Sequence, residues 1–382
     1  MLSLQRKKFS LPVNTTYLNC SYMSPLLKDV EKAGIEGIRK KRNPAELPSK
    51  FFFEGANRLR PEFAKLVGTK EHQRIAIVAS ASYGLGNVAH NLKVDNAHNI
   101  VVAAEQFPSN VYPWRSVCKE KGTKLKSIAA PSVLKDRGKI WNERILDAID
   151  KNTRMVALGN VHWADGTKFN LIEIRKRTRE VGALLVIDGS QSIGALPFDV
   201  NIIQPDALIS VGYKWLMGPY SIALAYYGEY FDGGKPMEEN WINRKNSEDF
   251  TELVNDQEEY QPGALRYDVG ERSNFILVPM MTTALKQINE WKPQNIQAYC
   301  GNITRESVRQ LREAGFWIED EKFRGHHLFG VRPPKGVDLE KIKRNLLKNK
   351  ISVSMRGDAI RISPNVYNSE KEVLKLVKIL TS

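Results

Sequence analysis

The stretch Val186-Ile-Asp-Gly-Ser-Gln-Ser-Ile-Gly194 decides how this chain folds. It completes a nearly continuous apolar run, Ala183-Leu-Leu-Val-Ile187, and ends it on an acid, Asp188. A run that is apolar at every position belongs in a central strand covered on both faces, because a half-exposed strand would alternate. Outward from it, between about Glu71 and Glu229, short apolar runs alternate with helical patterns. Arg74-Ile-Ala-Ile-Val-Ala79, Asn99-Ile-Val-Val-Ala-Ala104, Thr123 to Ile128, Arg154-Met-Val-Ala-Leu158, Ala207-Leu-Ile-Ser-Val211 and Ile222-Ala-Leu-Ala-Tyr226 are the further strands. Leu85 to Leu92 and Ile140 to Ile149 read as helices. Asn170, with Glu173 three residues on, opens another through Val181, which Gly182 stops. The β-α rhythm predicts an α/β fold with a largely parallel, doubly wound sheet and right-handed crossovers.

After about Trp241 the rhythm breaks. Arg244 to Gln261 is polar and acidic, an exposed loop, and Leu277 to Trp291 is a helix. From Gly315 the pattern is strand (Leu328 to Val331), helix (Leu339 to Leu347), hairpin (Ile351 to Ser363) and helix (Val373 to Leu380), with Ser369 and Glu372 as a capping box. The expected organisation is a large domain over residues 19–274 and a small α+β domain over residues 275–382, with residues 1–18 packed against the small one.

Strand ends carry the polar residues, which is where ligands sit in an open α/β sheet. Twenty-six residues after Asp188 comes Lys214, in Ser210-Val-Gly-Tyr-Lys-Trp-Leu-Met-Gly-Pro219. A lysine set directly after a buried strand among apolar and aromatic residues is desolvated. Desolvation lowers its pKa and frees an amine for a Schiff base. A carboxylate at a neighbouring strand end suits a protonated pyridine nitrogen. The two together match the parts of a pyridoxal-phosphate (PLP) site.

The chain resembles class V aminotransferase-like PLP enzymes, the fold-type I branch that includes cysteine desulfurases, kynureninase and isopenicillin N epimerase-like proteins. The resemblance runs from Tyr17-Leu-Asn-Cys-Ser-Tyr-Met-Ser-Pro25 to Arg361-Ile-Ser363. It implies pyridoxal 5′-phosphate as cofactor, Lys214 as the Schiff-base lysine and proton shuttle, Asp188 on the pyridinium proton and Gln191 on the cofactor's phenolic oxygen. Ser80-Ala-Ser-Tyr-Gly84 resembles the family's phosphate turn, with Ala81 where many relatives carry a hydroxyl and Ser82 a remaining donor at a positive helix end. Tyr213 resembles the phosphate-binding residue before the lysine. In Glu105-Gln-Phe-Pro-Ser-Asn-Val-Tyr-Pro-Trp114, Phe107 stands where a ring stacks on the cofactor. Asn160-Val-His-Trp-Ala-Asp-Gly-Thr167 resembles an active-site segment, which implies that His162 and Trp163 line the pocket. Arg361 takes the family's substrate-carboxylate position, and Asn19 lies near the substrate amine or carboxylate. In Tyr267-Asp-Val-Gly-Glu-Arg-Ser-Asn274, Glu271 replaces the threonine of desulfurases, so Arg272 or Ser273 would have to serve in a neighbouring subunit's site.

The resemblance implies an amino acid and a 2-oxo acid as small-molecule partners and a homodimer as the assembly. Desulfurases carry a nucleophilic cysteine on the loop before the substrate arginine. Here that segment is Ile351-Ser-Val-Ser-Met-Arg-Gly-Asp358, without cysteine, which disfavours persulfide chemistry. Amino-group transfer is the first expectation. A PLP lyase or epimerase of the isopenicillin N epimerase or selenocysteine lyase type is the alternative, and a non-catalytic binding protein comes last.

Composition bounds the rest. The 382 residues carry 57 Lys and Arg against 43 Asp and Glu, a formal net charge of +14. The basic runs are short, and those at 175–177 and 341–344 alternate with apolar residues as solvated helix faces do. No zinc-finger spacing, basic-region heptad or aromatic RNA signature accompanies them, so no specific nucleic-acid role is expected. Three cysteines, Cys20, Cys118 and Cys300, are far apart and form no CxxC pair or metal-ligand pattern, which fits a reduced cytoplasmic setting. No run reaches a membrane span of ~18 apolar residues.

Overall fold

A computed structural model describes residues 2–382. The first elements are β1 (Thr16–Tyr17), α1 (Lys28–Lys40), α2 (Phe51–Leu66), β2 (Ile75–Val78), α3 (Ala81–Asn91), β3 (Asn99–Ala103) and α4 (Tyr112–Lys121). Then come β4 (Lys124–Ile128), α5 (Arg137–Ala148), β5 (Thr153–Gly159), α6 (Leu171–Glu180), β6 (Leu184–Asp188), the short α7 (Val200–Ile203), β7 (Ala207–Val211) and β8 (Ala223–Tyr227). The remainder is α8 (Leu277–Trp291), α9 (Pro293–Glu313), β9 (Trp317–Ile318), β10 (Phe329–Arg332), α10 (Leu339–Lys348), β11 (Ile351–Ser352), β12 (Ser354–Arg356), β13 (Ala359–Ile362) and α11 (Glu370–Leu380).

Seven strands form one sheet in the order β2-β8-β7-β6-β5-β3-β4. Neighbours from β4 to β7 are parallel, and β8 runs antiparallel to both β7 and β2. The chain thus leaves β2, β3, β5, β6 and β7 at one edge, as the rhythm of the sequence requires. Strand residues point alternately into two cores. Val186, Ile209 and Val211 pack under α3 and α4 with Leu85, Val88 and Trp114. Leu185, Ile187 and Leu208 pack on the other face with Phe63, Trp141, Ile174 and Leu285. Helix α3 sits so close to the sheet that a Cβ on Gly84 would lie 2.9 Å from Ile209 side-chain atoms. That closeness brings the first turn of α3 to the strand ends.

A four-stranded antiparallel sheet, β12-β13-β10-β9, follows, with α9 packed on β9 and α11 on α9. Ser369 and Glu372 form the expected capping box. Two expectations need correction. The run Ile351 to Ser363 is not one hairpin: β11 leaves it to pair in parallel with β1, and only β12 and β13 form the hairpin. The cause is the amino-terminal segment, whose Thr16 and Leu18 N–H groups find acceptors at Lys350 O and Ser352 O. The sequence also assigned no helix between Trp291 and Gly315, where α9 lies. Its inward face includes Gln297, Thr304 and Ser307, which dilute the apolar period. Among the described residues no helix is long and apolar enough to cross a membrane.

The Tyr267–Asn274 loop is held from inside. Asp268 is fully buried, pairs with Arg60 of α2 and with Arg272, and accepts from the Ile77 N–H of β2 at 2.7 Å. Removing it leaves two buried guanidinium groups without a counter-charge, a change that costs about 3–5 kcal/mol. Asp268→Ala should therefore lower the denaturant midpoint by an amount equivalent to that loss, measured by equilibrium unfolding. A change below about 1 kcal/mol would mean that the pairs are of the weak surface kind.

Candidate active site

Six chain segments meet at the carboxyl edge of the large sheet and enclose a cavity of about 340 Å³. Its walls come from Ala79–Ser82 after β2, Gln106 and Phe107 after β3, Gly159–Trp163 after β5, Asp188–Gln191 after β6, Val211–Lys214 after β7 and Tyr220–Ile222 before β8. Of the eleven residues singled out in the sequence, nine line it: Ala81, Ser82, Phe107, His162, Trp163, Asp188, Gln191, Tyr213 and Lys214. Asn19 and Arg361 do not. They stand one layer further out, on and beside the small sheet.

Lys214 is 7% exposed. Burial lowers its pKa to about 8; Asp188 pulls the other way, and Arg361 and Arg356 add to the lowering. Its Nζ faces the Phe107 ring at 5.1 Å from the centroid and the Tyr213 ring at 5.5 Å. The amine therefore looks across the cavity at an aromatic wall. Asp188 is the last residue of β6, and its Oδ1 accepts from the Ser190 N–H at 3.0 Å, so the turn fixes the carboxylate.

Gln191 is buried, and its amide is partly committed: Nε2 donates to Ser21 O at 3.1 Å and Oε1 accepts from Trp215 Nε1 at 3.0 Å. One amide proton is left for the cavity. His327 braces the same turn, with Nε2 2.9 Å from Gln191 O and Nδ1 2.8 Å from Gln297 Nε2. Burial pushes His327 down to about 4, which keeps this ring neutral at pH 7.

Helix α3 begins in the cavity wall. Ser80 is its cap: the Ser80 hydroxyl accepts from the Tyr83 N–H at 3.1 Å. The Ala81 and Ser82 N–H groups, in the first turn, have no acceptor within the helix. Ser82 Oγ donates to Ser109 Oγ at 2.9 Å, tying the turn to the Phe107 loop. Tyr213 packs on Tyr220 at 4.6 Å between ring centroids, and burial raises its hydroxyl to about 12.

Phe107 is 38% exposed and meets Trp163 edge to face, 5.5 Å between centroids. Trp163 is fixed by Nε1 donating to Glu105 O at 2.6 Å. His162 is held at both nitrogens, Nδ1 3.3 Å from Asp165 Oδ1 and Nε2 3.1 Å from Glu105 O. Burial raises the Asp165 carboxyl, but His162, Arg137 and Arg332 outweigh it and hold it well below the usual range. Asp165 thus connects the His162 turn to the small sheet through Arg332.

Arg361, 1% exposed, donates from Nη1 to Trp163 O at 2.7 Å. Asn19 Oδ1 accepts from Ser354 Oγ at 2.7 Å, and Asn19 bridges to Ser363 through the backbone. Arg272 and Ser273, proposed from sequence as substitutes for a threonine, are turned inward: Arg272 pairs with Asp268 and the Ser273 hydroxyl donates to Phe52 O. The exposed residue of that turn is Glu271, at φ 57°.

Sequence reasoning missed Gln106, Ser190, Tyr220 and Arg356. Gln106 is an internal clamp, with Nε2 to Ala157 O at 2.8 Å and Oε1 accepting from the Gly159 N–H at 3.1 Å. Its neighbour Phe107 carried the only chemical signal in that loop. Arg356 stacks on Trp163 with 5.4 Å between its guanidinium and the ring centroid, and no pattern around it in sequence marked it out.

The family profile described as aminotransferase class-V matches residues 48–376. An uncharacterised aminotransferase of Bacillus subtilis, YcbU, is 26% identical over 315 residues, 82% of this chain and 80% of that protein. Isopenicillin N epimerase of Streptomyces clavuligerus is 22% identical over 333 residues, 84% of this chain and 82% of that one. The apo structure of a cysteine desulfurase from Thermococcus onnurineus superposes with a TM-score of 0.84 at 20% identity, covering 100% of this chain and 98% of that one. The fold is that of the fold type I PLP-dependent enzymes.

If the Lys214 amine has the lowered basicity that its surroundings impose, its reactivity as a free amine should rise through pH 8. Reductive methylation with formaldehyde, followed by peptide mapping, should give a midpoint near pH 8 for Lys214 against about 10.4 for surface lysines. A midpoint near 10 for Lys214 would contradict the desolvated placement.

Proposed function

The chain belongs to the aminotransferase class-V family, and on that premise we propose that it is a PLP-dependent aminotransferase, moving the amino group of an amino acid to a 2-oxo acid with Lys214 as the point of covalent attachment. The family cofactor is pyridoxal 5′-phosphate, and the donor set at the cavity fits it. The unpaired N–H groups at the first turn of α3 suit a phosphate dianion, Asp188 suits a protonated ring nitrogen, and Lys214 offers an amine that burial keeps nucleophilic. Bound there, the cofactor supplies an electron sink for charge developing at the substrate Cα.

The protein's own work follows from the positions of its side chains. Asp188 holds the ring-nitrogen proton, Gln191 offers its remaining amide proton, and Phe107 supplies a flat apolar wall. The Ser82 N–H, its hydroxyl being committed to Ser109, and Tyr213 add to the phosphate end. Arg361 pairs with the substrate carboxylate, and Asn19, His162 and Trp163 shape the space beside it. Lys214 Nζ would take the proton from the substrate Cα and deliver it away from Cα, which is what leaves a 2-oxo acid; returned to Cα, it would only give back an amino acid.

The observation that carries transfer over epimerisation is that Lys214 is the one amine or imidazole in the cavity wall free to carry a proton. His162, the other candidate, is engaged at both ring nitrogens. Two-base inversion at Cα calls for a second carrier on the opposite face, for which the wall offers the phenols of Tyr213, raised by burial to about 12, and Tyr220 but no second free amine; transfer needs one carrier. Persulfide chemistry of the desulfurase type lacks its nucleophile. Cys20 and Cys300 are fully buried, burial pushes Cys20 up to about 11 and Cys300 higher still, and Cys118 lies outside the cavity wall. The alternative, a lyase or epimerase, draws on the Phe107-Pro108 loop and on the likeness to isopenicillin N epimerase.

A panel of amino acids scored for oxo acid, released sulfide and inverted isomer tests the assignment. Stoichiometric oxo acid in a single turnover without a 2-oxo acid, and catalytic amounts with one, is the expected result. Inverted isomer or an eliminated side-chain group in place of oxo acid would overturn transfer. Asp188→Asn should lower kcat by roughly 10²-fold or more, since it removes a preorganised charge facing the reacting system. We also propose a homodimer, supported by the exposed apolar group Trp241, Phe250, Leu253 and Ile276. Light scattering should give twice the mass of one chain, and a monomer mass at micromolar concentration would refute it.

A further inference from the structure

Beside the cavity, behind Trp163 of its wall, stand two arginines, Arg361 and Arg356, and the reaction uses only the first. Register places Ser354 opposite Arg361 and Arg356 opposite Ala359 in the β12–β13 hairpin. Directly opposed residues of an antiparallel pair share a face, so Arg356 and Arg361 project from the same side of the small sheet. Both meet the same indole: their guanidinium carbons lie 5.4 Å and 5.9 Å from the Trp163 ring centroid. Trp163 is itself part of the cavity wall. The hairpin thus sets two cations against the Trp163 part of the cavity wall.

Among the described residues neither cation pairs with a carboxylate. Each spends one nitrogen on a carbonyl, Arg356 Nη1 on Met355 O and Arg361 Nη1 on Trp163 O, both at 2.7 Å. The Nε of each is buried without a hydrogen-bond partner. Asp358, the acid nearest in sequence, is taken by Arg332 at 3.0 Å. Elsewhere the protein does neutralise its buried guanidinium groups, Arg137 and Arg332 with Asp165, and Arg60 and Arg272 with Asp268. Arg361 is withdrawn from water and the half-buried Arg356 has its Nε shielded, and such unsatisfied cationic donors are costly unless an anion arrives. Burial and its neighbour Arg356 together lower Arg361 to about 9, the direction expected for an uncompensated pair.

We propose that Arg356 is the specificity-determining residue for the substrate side chain: with Arg361 on the α-carboxylate, Arg356 pairs with a second carboxylate, so that the substrate is a dicarboxylic amino acid. The inference rests on the proposed role of Arg361. Ala359, opposite Arg356, brings no charged group onto the face between the two arginines, and a guanidinium fork donates two parallel hydrogen bonds to a carboxylate. The substrate would thus span the two cations with its two acid groups.

Equilibrium binding of unreactive acids to the cofactor-loaded protein, by calorimetry, tests this without turnover. The dicarboxylates malonate, succinate and glutarate are compared with propionate, butyrate and pentanoate, in wild-type protein and in Arg356→Gln, Arg356→Lys and Arg361→Gln. At least one dicarboxylate should bind roughly 10-fold or more tighter than its monocarboxylate match, the range of one charge-assisted pair. Arg356→Gln should reduce it to the monocarboxylate level while changing monocarboxylate affinity by less than about 2-fold, and Arg356→Lys should keep part of the preference. Arg361→Gln should weaken both classes. Equal affinity for both classes in the wild type overturns the proposal. So does an Arg356→Gln variant that loses both classes equally, because then both arginines clamp one carboxylate. If the cofactor fails to attach while the dicarboxylate preference survives, the assignment of the reaction fails and this one stands. If attachment succeeds and the preference is missing, the reverse holds.

Discussion

Everything at the site depends on the register at the carboxyl end of β6, where Asp188 lies beside Gly159 of β5 on one side and Ile209 of β7 on the other. Backbone hydrogen bonds fix that alignment, and a slip of one residue would turn each side chain to the opposite face. The alignment brings the ends of three buried strands together, so the turns that follow them must converge. Burial of those strands on both faces then does chemical work. It dries the surroundings of Lys214, lowers its basicity and keeps an amine reactive near neutral pH. Stability and reactivity therefore have one source, the covering of the sheet by α3 and α4 on one side and α2, α5, α6 and α8 on the other.

Charge is handled differently in different parts of the molecule. Buried arginines are neutralised by a single buried aspartate in two places, at Asp165 and at Asp268. Those clusters tie segments together: Asp165 joins the His162 turn to β10, and Asp268 joins α2 and β2 to the 267–274 loop. On the β12–β13 face no such acid is present beside Arg356 and Arg361. The contrast separates cations paired with buried acids from cations without one, a distinction that the net charge of +14 conceals. Most of the remaining excess lies on exposed helix faces.

Much of this was legible in the sequence because it rested on local rules. The β-α rhythm, the apolar run of β6 and the Asp188–Lys214 order each reflect a constraint that acts within a few residues. Helix α8 was found at its own bounds, Leu277–Trp291, because its apolar face is regular. What escaped depended on distant partners. Helix α9 buries polar residues that its own sequence does not justify, and β11 is drawn from its hairpin by an amino-terminal segment over 330 residues away. The Ser82 position illustrates a finer limit. Two serines flank Ala81, and only the extended φ and ψ of Ser80 make it the cap. Arg356 was invisible for a similar reason, since its meaning comes from sharing Trp163 with Arg361.

The central claim is that the amine at the end of β7 anchors the cofactor. The most direct test is to incubate the purified protein with pyridoxal 5′-phosphate, reduce it with borohydride and map the pyridoxyl group by mass spectrometry. The account predicts a yellow protein that bleaches on reduction and carries the added mass on the peptide that contains Lys214. A pyridoxyl group on another lysine, or a protein that remains colourless and unmodified, would contradict it.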